Sequence, residues 1–187
     1  MAAYSTQNGL ILQRLLDYYS DSSRLDTMLS IINGSSPVSL RIVDWFSTNY
    51  AKKHYTILPP KEGSLSRFKV YDDYKLRLKS YSKKRFDPFC RHDRILIPYR
   101  DGQRVQTTIG QLNFFRWAIE NGVIKYIEDN LVDIEADQNA RNSTSRRKQT
   151  QSQTPGGNKT RKRREELSVL ASKSVYRENV EITVSFD

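Results

Sequence analysis

The sequence predicts a mainly α-helical α+β chain of about five helices, with a small antiparallel β-sheet and a disordered basic loop. Three observations carry this. Apolar residues recur at helical spacing through most of the first 140 positions. Two stretches, a hairpin over 94–107 and a terminal run over 180–187, alternate instead with a period of two. Residues 141–164 hold no acidic and no apolar side chain, so they cannot bury a core. The expected organisation is a flexible N-terminus (1–8), a single mainly helical domain (9–140), the disordered basic segment (141–164), and a C-terminal helix and strand (165–187) that pack back on the domain.

Each helix has a local reason. Leu10, Ile11, Leu15, Leu16 and Tyr19 share one face, and Leu25, Met28, Leu29 and Ile32 repeat the pattern after Asp21-Ser22-Ser23. Asn33-Gly34 is a stop signal, and Ser36-Pro37 reads as an N-cap followed by proline at the first helical position. That helix would bury Leu40, Val43, Phe46 and Tyr50 and turn Asp44 and Asn49 outward. Pro59-Pro60 and Gly63 mark a loop. A helix from Arg67 to Phe86 then sets Tyr71, Tyr74, Leu78 and Tyr81 on one face, read as a core stripe rather than a stacking platform for bases. Asp87-Pro88 ends it.

Ile95, Ile97 and Tyr99 alternate with Leu96 and Pro98, Asp101-Gly102 signals a tight turn, and Val105 to Thr107 returns. Thr108 is placed to cap a helix carrying Leu112, Phe115, Trp117 and Ile119, stopped at Asn121-Gly122. Ile124, Ile127, Leu131 and Ile134 continue the helical pattern to about Asp137. Helix–glycine–helix around Gly122 invites comparison with a DNA-reading motif. Its second helix carries Glu128, Asp129, Asp133, Glu135 and Asp137 against one Lys125, and phosphates would repel it. A packing hairpin is the better reading. At the end of the chain Val180, Ile182, Val184 and Phe186 share one face of a strand expected to join the 94–107 hairpin.

Charge is the main functional signal. The 187 residues hold 31 Lys+Arg against 21 Asp+Glu, a net +10, with mean hydropathy −0.70. Nine of those cations fall within 141–164, and the rest of the chain is nearly neutral at +1. Within the ordered part, residues 41–92 carry 13 cations and 5 acids, whereas 93–140 carry 5 and 8. A concentrated polycation points to a polyanion, and nucleic acid is the abundant one.

Other classes are set aside. The lone Cys90 excludes an intramolecular disulfide, and with only His54 and His92 beside it a closed Cys/His zinc site is excluded too. Cys90-x-His92 is read as structural, and no metal or other cofactor is expected. No signal-peptide pattern opens the chain, and no run approaches the ~18 apolar residues of a membrane span. Asn-x-Ser/Thr matches at Asn33, Asn142 and Asn158 are then chance, and the expectation is a soluble intracellular protein. Asp72-Asp73 and Glu165-Glu166 are adjacent pairs without a convergent partner. With no glycine-rich phosphate loop and no nucleophile elbow, the expectation is a non-enzyme with no small-molecule substrate.

The candidate nucleic-acid-binding residues form two groups. Arg146, Arg147, Lys148, Lys159, Arg161, Lys162, Arg163 and Arg164 supply closely spaced cations on flexible backbone, suited to phosphate contact or to a nuclear-import signal. Lys75, Lys79 and Lys83 step by four along the 67–86 helix and are extended by Lys84 and Arg85, a stripe that would track a phosphate backbone or form a solvated face.

The blocks SLRIVDWFSTNYAKKH (39–54), YDDYKLRLKSYSKKRFDPFCR (71–91) and TTIGQLNFFRWAIENGVIKYIEDN (107–130), with VSFD (184–187), resemble a family of small basic proteins encoded by nucleocytoplasmic large DNA viruses. The likeness covers about half of the chain and supplies no catalytic or binding residues. It implies a context: a viral protein in the host nucleus, in a cytoplasmic viral factory or in the virion. The expected function is non-enzymatic nucleic-acid binding, DNA ahead of RNA, in packaging or as an accessory of transcription. The alternative is a virion structural or assembly protein that docks a viral protein partner. No membrane partner is expected.

Overall fold

The computed structural model describes residues 7–59, 67–151 and 177–178. It is mainly α-helical with small antiparallel sheets, as the periodicities predict. Helices α1 (Gln7–Tyr18) and α2 (Ser22–Asn33) come first. Asp21 caps α2 by accepting from Ser23 N at 3.1 Å, and Gly34, at φ +75°, closes it in the left-handed region that glycine reaches without a Cβ clash. Helix α3 (Leu40–Trp45), a π turn (Phe46–Tyr50) and α4 (Ala51–Lys53) follow one another without a break. The N-cap of α3 is Ser39, accepting from Ile42 N at 3.3 Å, three residues beyond the predicted Ser36. Ser36 instead accepts from Val38 N and closes the turn that holds Pro37.

Two sequence expectations in the 55–92 region are corrected. Phe68–Lys69, expected at the start of the 67–86 helix, instead form β2, which pairs with β1 (Ile57–Leu58) from the other side of the Pro59-Pro60 and Gly63 loop signals. Helix α5 runs only from Val70 to Tyr81. Ser82 adopts φ +63°, which no helix interior accommodates, and Lys83–Arg85 form a separate 3₁₀ turn. The core stripe was read correctly: Tyr74 is buried, with Tyr71, Leu78 and Tyr81 packed against the core.

The hairpin of β3 (Arg94–Pro98) and β4 (Arg104–Thr108) pairs Ile97 with Val105, both buried. A third strand, β5 (Arg177–Glu178), pairs with Arg104–Val105. The C-terminal region thus returns to this hairpin, though residues 180–187, where the strand was expected, lie outside the described residues. Thr108 caps α6 (Ile109–Glu120) by accepting from Gln111 N, and Gly122 at φ +69° turns the chain into α7 (Val123–Asp129). Asn130 separates α7 from α8 (Leu131–Gln151), where one helix was expected to run to about Asp137.

Because α8 is helical through Gln151, the expectation of a disordered segment starting at 141 is corrected for 141–151. Extending an existing helix adds one hydrogen bond per residue without a new nucleus. Asp133 in its first turn also suits the helix dipole. Residues 152–164, and the helix expected over 165–173, lie outside the described residues.

The core is organised around α6, which buries Gly110 to Phe115, Trp117 and Ala118. Phe86, Phe114 and Trp117 meet with ring centroids 5.4–5.7 Å apart, and Tyr74 joins them. The polar atoms of this region are paired: Tyr19 Oη donates to Leu112 O, Gln111 Nε2 to Pro88 O, and Asn113 Nδ2 to Arg85 O. Gly110 passes so close to the 84–90 segment that a Cβ there would lie 2.9 Å from both Cys90 Cβ and Lys84 O. Gly110→Ala should therefore cost about 1–3 kcal/mol by overpacking, measured as a fall in the denaturant midpoint. Gly122→Ala, with open space around it, meets only backbone strain and should cost less.

Asp44, expected to face outward, is half-buried. Burial first, then the neighbouring Asp87 carboxylate, pushes its pKa up to about 6, against the opposing pull of Lys83. The folded state thus holds this proton more tightly than the unfolded chain. Its contribution is complete below about pH 4 and is lost as pH rises through about 6, where ionising Asp44 weakens the fold by on the order of 2 kcal/mol. Asp44→Asn should remove this slope and stabilise the protein at pH 7, read by chemical denaturation between pH 4 and 7. Unequal behaviour below pH 4 is a separate matter, because Asp137, held low by Lys53 and Trp45, stabilises only above that range.

Candidate nucleic-acid interface

Helix α5 presents the expected lysines. Lys75 and Lys79, one turn apart, are exposed and line a groove with Tyr71, Asp72, Leu76 and Leu78. Their spacing of four puts them on one stripe while the opposite face carries Tyr74 into the core. Lys83 does not continue the stripe, because the helix ends before it; it pairs loosely with Asp87 at 3.9 Å and stays 78% exposed. Such an exposed pair is worth little and leaves the ammonium available. Lys84 is exposed. Arg85 is engaged with α1 near the surface, donating from Nε to Asn8 Oδ1 at 2.6 Å and from Nη1 to Gln7 Oε1 at 2.9 Å. Among the described residues Lys75, Lys79 and Lys84 make no ion pair.

Asp73 sets the rotation of α5. Its Oδ2 accepts from Trp117 Nε1 at 2.6 Å and from Arg77 Nε at 2.9 Å, tying the helix to the centre of α6. That fixes which side of α5 faces solvent. The acidic pair Asp72-Asp73 is thereby split: Asp73 packs inward, and Asp72 stays exposed at the start of the helix.

Beside that start lies a cavity of about 150 Å³ lined by Ala51, Lys52, Tyr55, Thr56, Lys69, Tyr71 and Asp72. Three elements build it: the end of α4, ladder β1–β2 and the first turn of α5. Tyr55, two residues past α4, has φ +49°. Lys69 Nζ donates to Tyr55 Oη at 2.7 Å, and Lys52 Nζ lies 5.6 Å from the Tyr71 ring centre. The Tyr55 hydroxyl, and then the Asp72 carboxylate, hold the Lys69 ammonium above its ordinary pKa. The cavity and the α5 groove share Tyr71 and Asp72, so they form one continuous surface. Sequence reading counted Lys52 and Lys69 as charge but not as a site. Only the β1–β2 pairing brings them together, and two-residue strands carry no alternation to announce it.

The second group of cations divides. Arg146, Arg147 and Lys148 stand on the helical backbone of α8, whereas Lys159, Arg161, Lys162, Arg163 and Arg164 lie outside the described residues. Helix α8 is anchored on α3 and the π turn: Asp137 accepts from Trp45 Nε1 at 3.2 Å and pairs with Lys53, and Arg141 donates to Asn49 Oδ1 at 3.1 Å. Cys90 donates weakly to the backbone oxygens of Lys84 and His92. Among the described residues no helix is long and apolar enough to cross a membrane.

Comparison with known proteins places the chain. It is 41% identical over 143 residues to "Uncharacterized protein L507" of Acanthamoeba polyphaga mimivirus, an alignment covering 73% of this chain and 55% of the relative. The chain thus spans about half the length of the curated relative it matches. That relative comes from a nucleocytoplasmic large DNA virus, which agrees with the viral resemblance of the sequence blocks. No solved structure matches the chain. Residues 3–184, nearly the whole sequence, match a family of unknown function, DUF7197, and the chain belongs to that family.

Proposed function

We propose that this viral-family protein binds nucleic acid without acting on it chemically, laying a phosphate backbone along α5 and the basic region that begins in α8. The observations that support this most are Lys75 and Lys79 on one stripe of α5 and Lys84 in the turn that follows it. They are exposed and unneutralised among the described residues, on the one part of the domain with a cationic surplus. Like charges left unpaired on one surface raise its potential and recruit a polyanion from a distance. The acid-free 141–164 segment adds nine cations, and contacts of this kind hold any sequence with similar strength. DNA is the favoured target, in packaging or transcription, with the host nucleus, the viral factory or the virion as the place of action.

A second reading rests on Leu76, which is 64% exposed between those lysines. An exposed leucine in an apolar-floored groove suits a protein partner, as in an assembly role.

Salt dependence separates the two. Each engaged cation contributes a slope of about −0.9 in log affinity against log salt on duplex DNA. Neutralising Arg161, Lys162, Arg163 and Arg164 together should flatten the slope by up to about 3.6, and neutralising Lys75, Lys79 and Lys84 by up to about 2.7. Arg85→Gln should instead lower thermal stability through its lost contacts to α1 and leave the slope nearly unchanged. Slopes that do not move in either multiple variant, with the fold intact, would shift the weight to the assembly reading.

A further inference from the structure

We propose that the cavity beside α5 is a seat for one phosphate group of an unpaired nucleic-acid strand, with the adjoining base stacked on Tyr55. This rests on the nucleic-acid reading above and sharpens it to a strand type and a contact point.

Four features converge there. The first is charge: Lys52 and Lys69 both line the cavity, from different elements. The second is the N-terminus of α5, a helix of 12 residues whose N-cap is Lys69. Lysine has no acceptor to cap the first turn; Val70 N–H is taken by the Thr56 carbonyl, and Tyr71 and Asp72, the next two residues of the uncapped turn, line the cavity. The third is Thr56, whose Oγ1 is buried with no hydrogen-bond partner among the described residues. A buried hydroxyl left without a partner costs about 1–3 kcal/mol, so natural folds retain one where something else completes it. Thr56 lines the cavity, and a turn of its side chain about χ1 would bring that hydroxyl to a phosphate oxygen there. The fourth is Tyr55, 63% exposed at the rim. Lys69 Nζ lies 2.7 Å from its hydroxyl but 5.1 Å from its ring centre, so the ammonium sits at the hydroxyl edge and leaves the ring to stack.

Size and charge narrow the occupant. At about 150 Å³ the cavity is well below the ~300 Å³ at which sites begin to enclose a whole small molecule. It admits a phosphate-sized group, and the sugar and base must lie outside, across Tyr55. Asp72 on the lining offsets one of the two lysine charges, which leaves a net charge suited to a single phosphate diester. A strand leaving the seat past Tyr71 enters the groove of Lys75 and Lys79, where its next phosphates find cations. A paired base has no free face to give Tyr55, so the seat selects unpaired strands.

The test uses the full chain and a fluorescent twelve-residue oligothymidylate, compared with a duplex of equal length at fixed salt. Tyr55→Asn removes the ring with a residue that tolerates φ +49°. It should weaken single-strand binding about tenfold and leave duplex binding within twofold. Thr56→Val should raise thermal stability without ligand, because an orphaned hydroxyl is removed, yet weaken single-strand binding about tenfold. Equal losses on single strand and duplex, or no loss in either variant while Lys75, Lys79 and Lys84 still matter, would overturn the seat and leave the broader reading standing. Displacement of the oligonucleotide by micromolar thymidine 5′-monophosphate would assign the seat to a free nucleotide and overturn the strand. No binding of either nucleic acid at low salt would overturn both.

Discussion

The burial of α6 is the constraint on which the rest depends. A helix that is apolar or satisfied on nearly every face must be surrounded, and this one is enclosed by α1, α2, α5, α7 and the 84–90 segment. Two close contacts then remove the remaining freedom. Gly110 lets Cys90 and the Lys84 carbonyl approach to a distance that excludes a methyl group, and the indole of Trp117 holds Asp73. The first fixes where the chain goes after α5, and the second fixes how α5 is rotated. Lys75 and Lys79 point outward as a consequence of Trp117 pointing inward.

The same logic connects the core to the cavity. Fully buried Val70 starts α5, and its backbone N–H donates to Thr56 O, joining the helix to the chain that leaves α4. Lys69 is thereby held one residue before the helix and opposite Tyr55. Acidic residues gather elsewhere, on α7 and the start of α8, where Asp137 is consumed by Lys53 and Trp45. Among the described residues the ion pairs each have a partly exposed cation and lie near the surface, where they cost and contribute little.

Much of this was readable in advance, for reasons that differ by element. Thr108 and Gly122 bracket α6 because cap and stop chemistry is local. The hairpin at 94–108 followed from alternation and a tight turn, and the Tyr74 stripe from helical period. Ser82 at φ +63° could not be foreseen, since serine carries no preference for that region and tertiary packing imposes it. Asp44 was misplaced because helical phase alone did not anticipate Asp87 arriving from 43 residues away. Helix α8 continues past 141, where the absence of core residues pointed to disorder, because a helix already nucleated on a packed segment continues at little cost. For the site, cationic excess was legible as a count. The convergence of Lys52, Lys69 and Thr56 was not, since it arises from a pairing too short to leave a pattern.

The central claim is that one continuous surface, from the Tyr55–Lys69 cavity along α5, receives nucleic acid. Titrating a single-stranded oligothymidylate into ¹⁵N-labelled protein and following backbone amide shifts tests it most directly. The account predicts the largest shifts at Lys52 to Thr56 and Lys69 to Lys79, with little change over Val123 to Asp137. Shifts centred on the acidic 123–137 face, or none at saturating oligonucleotide, would contradict it.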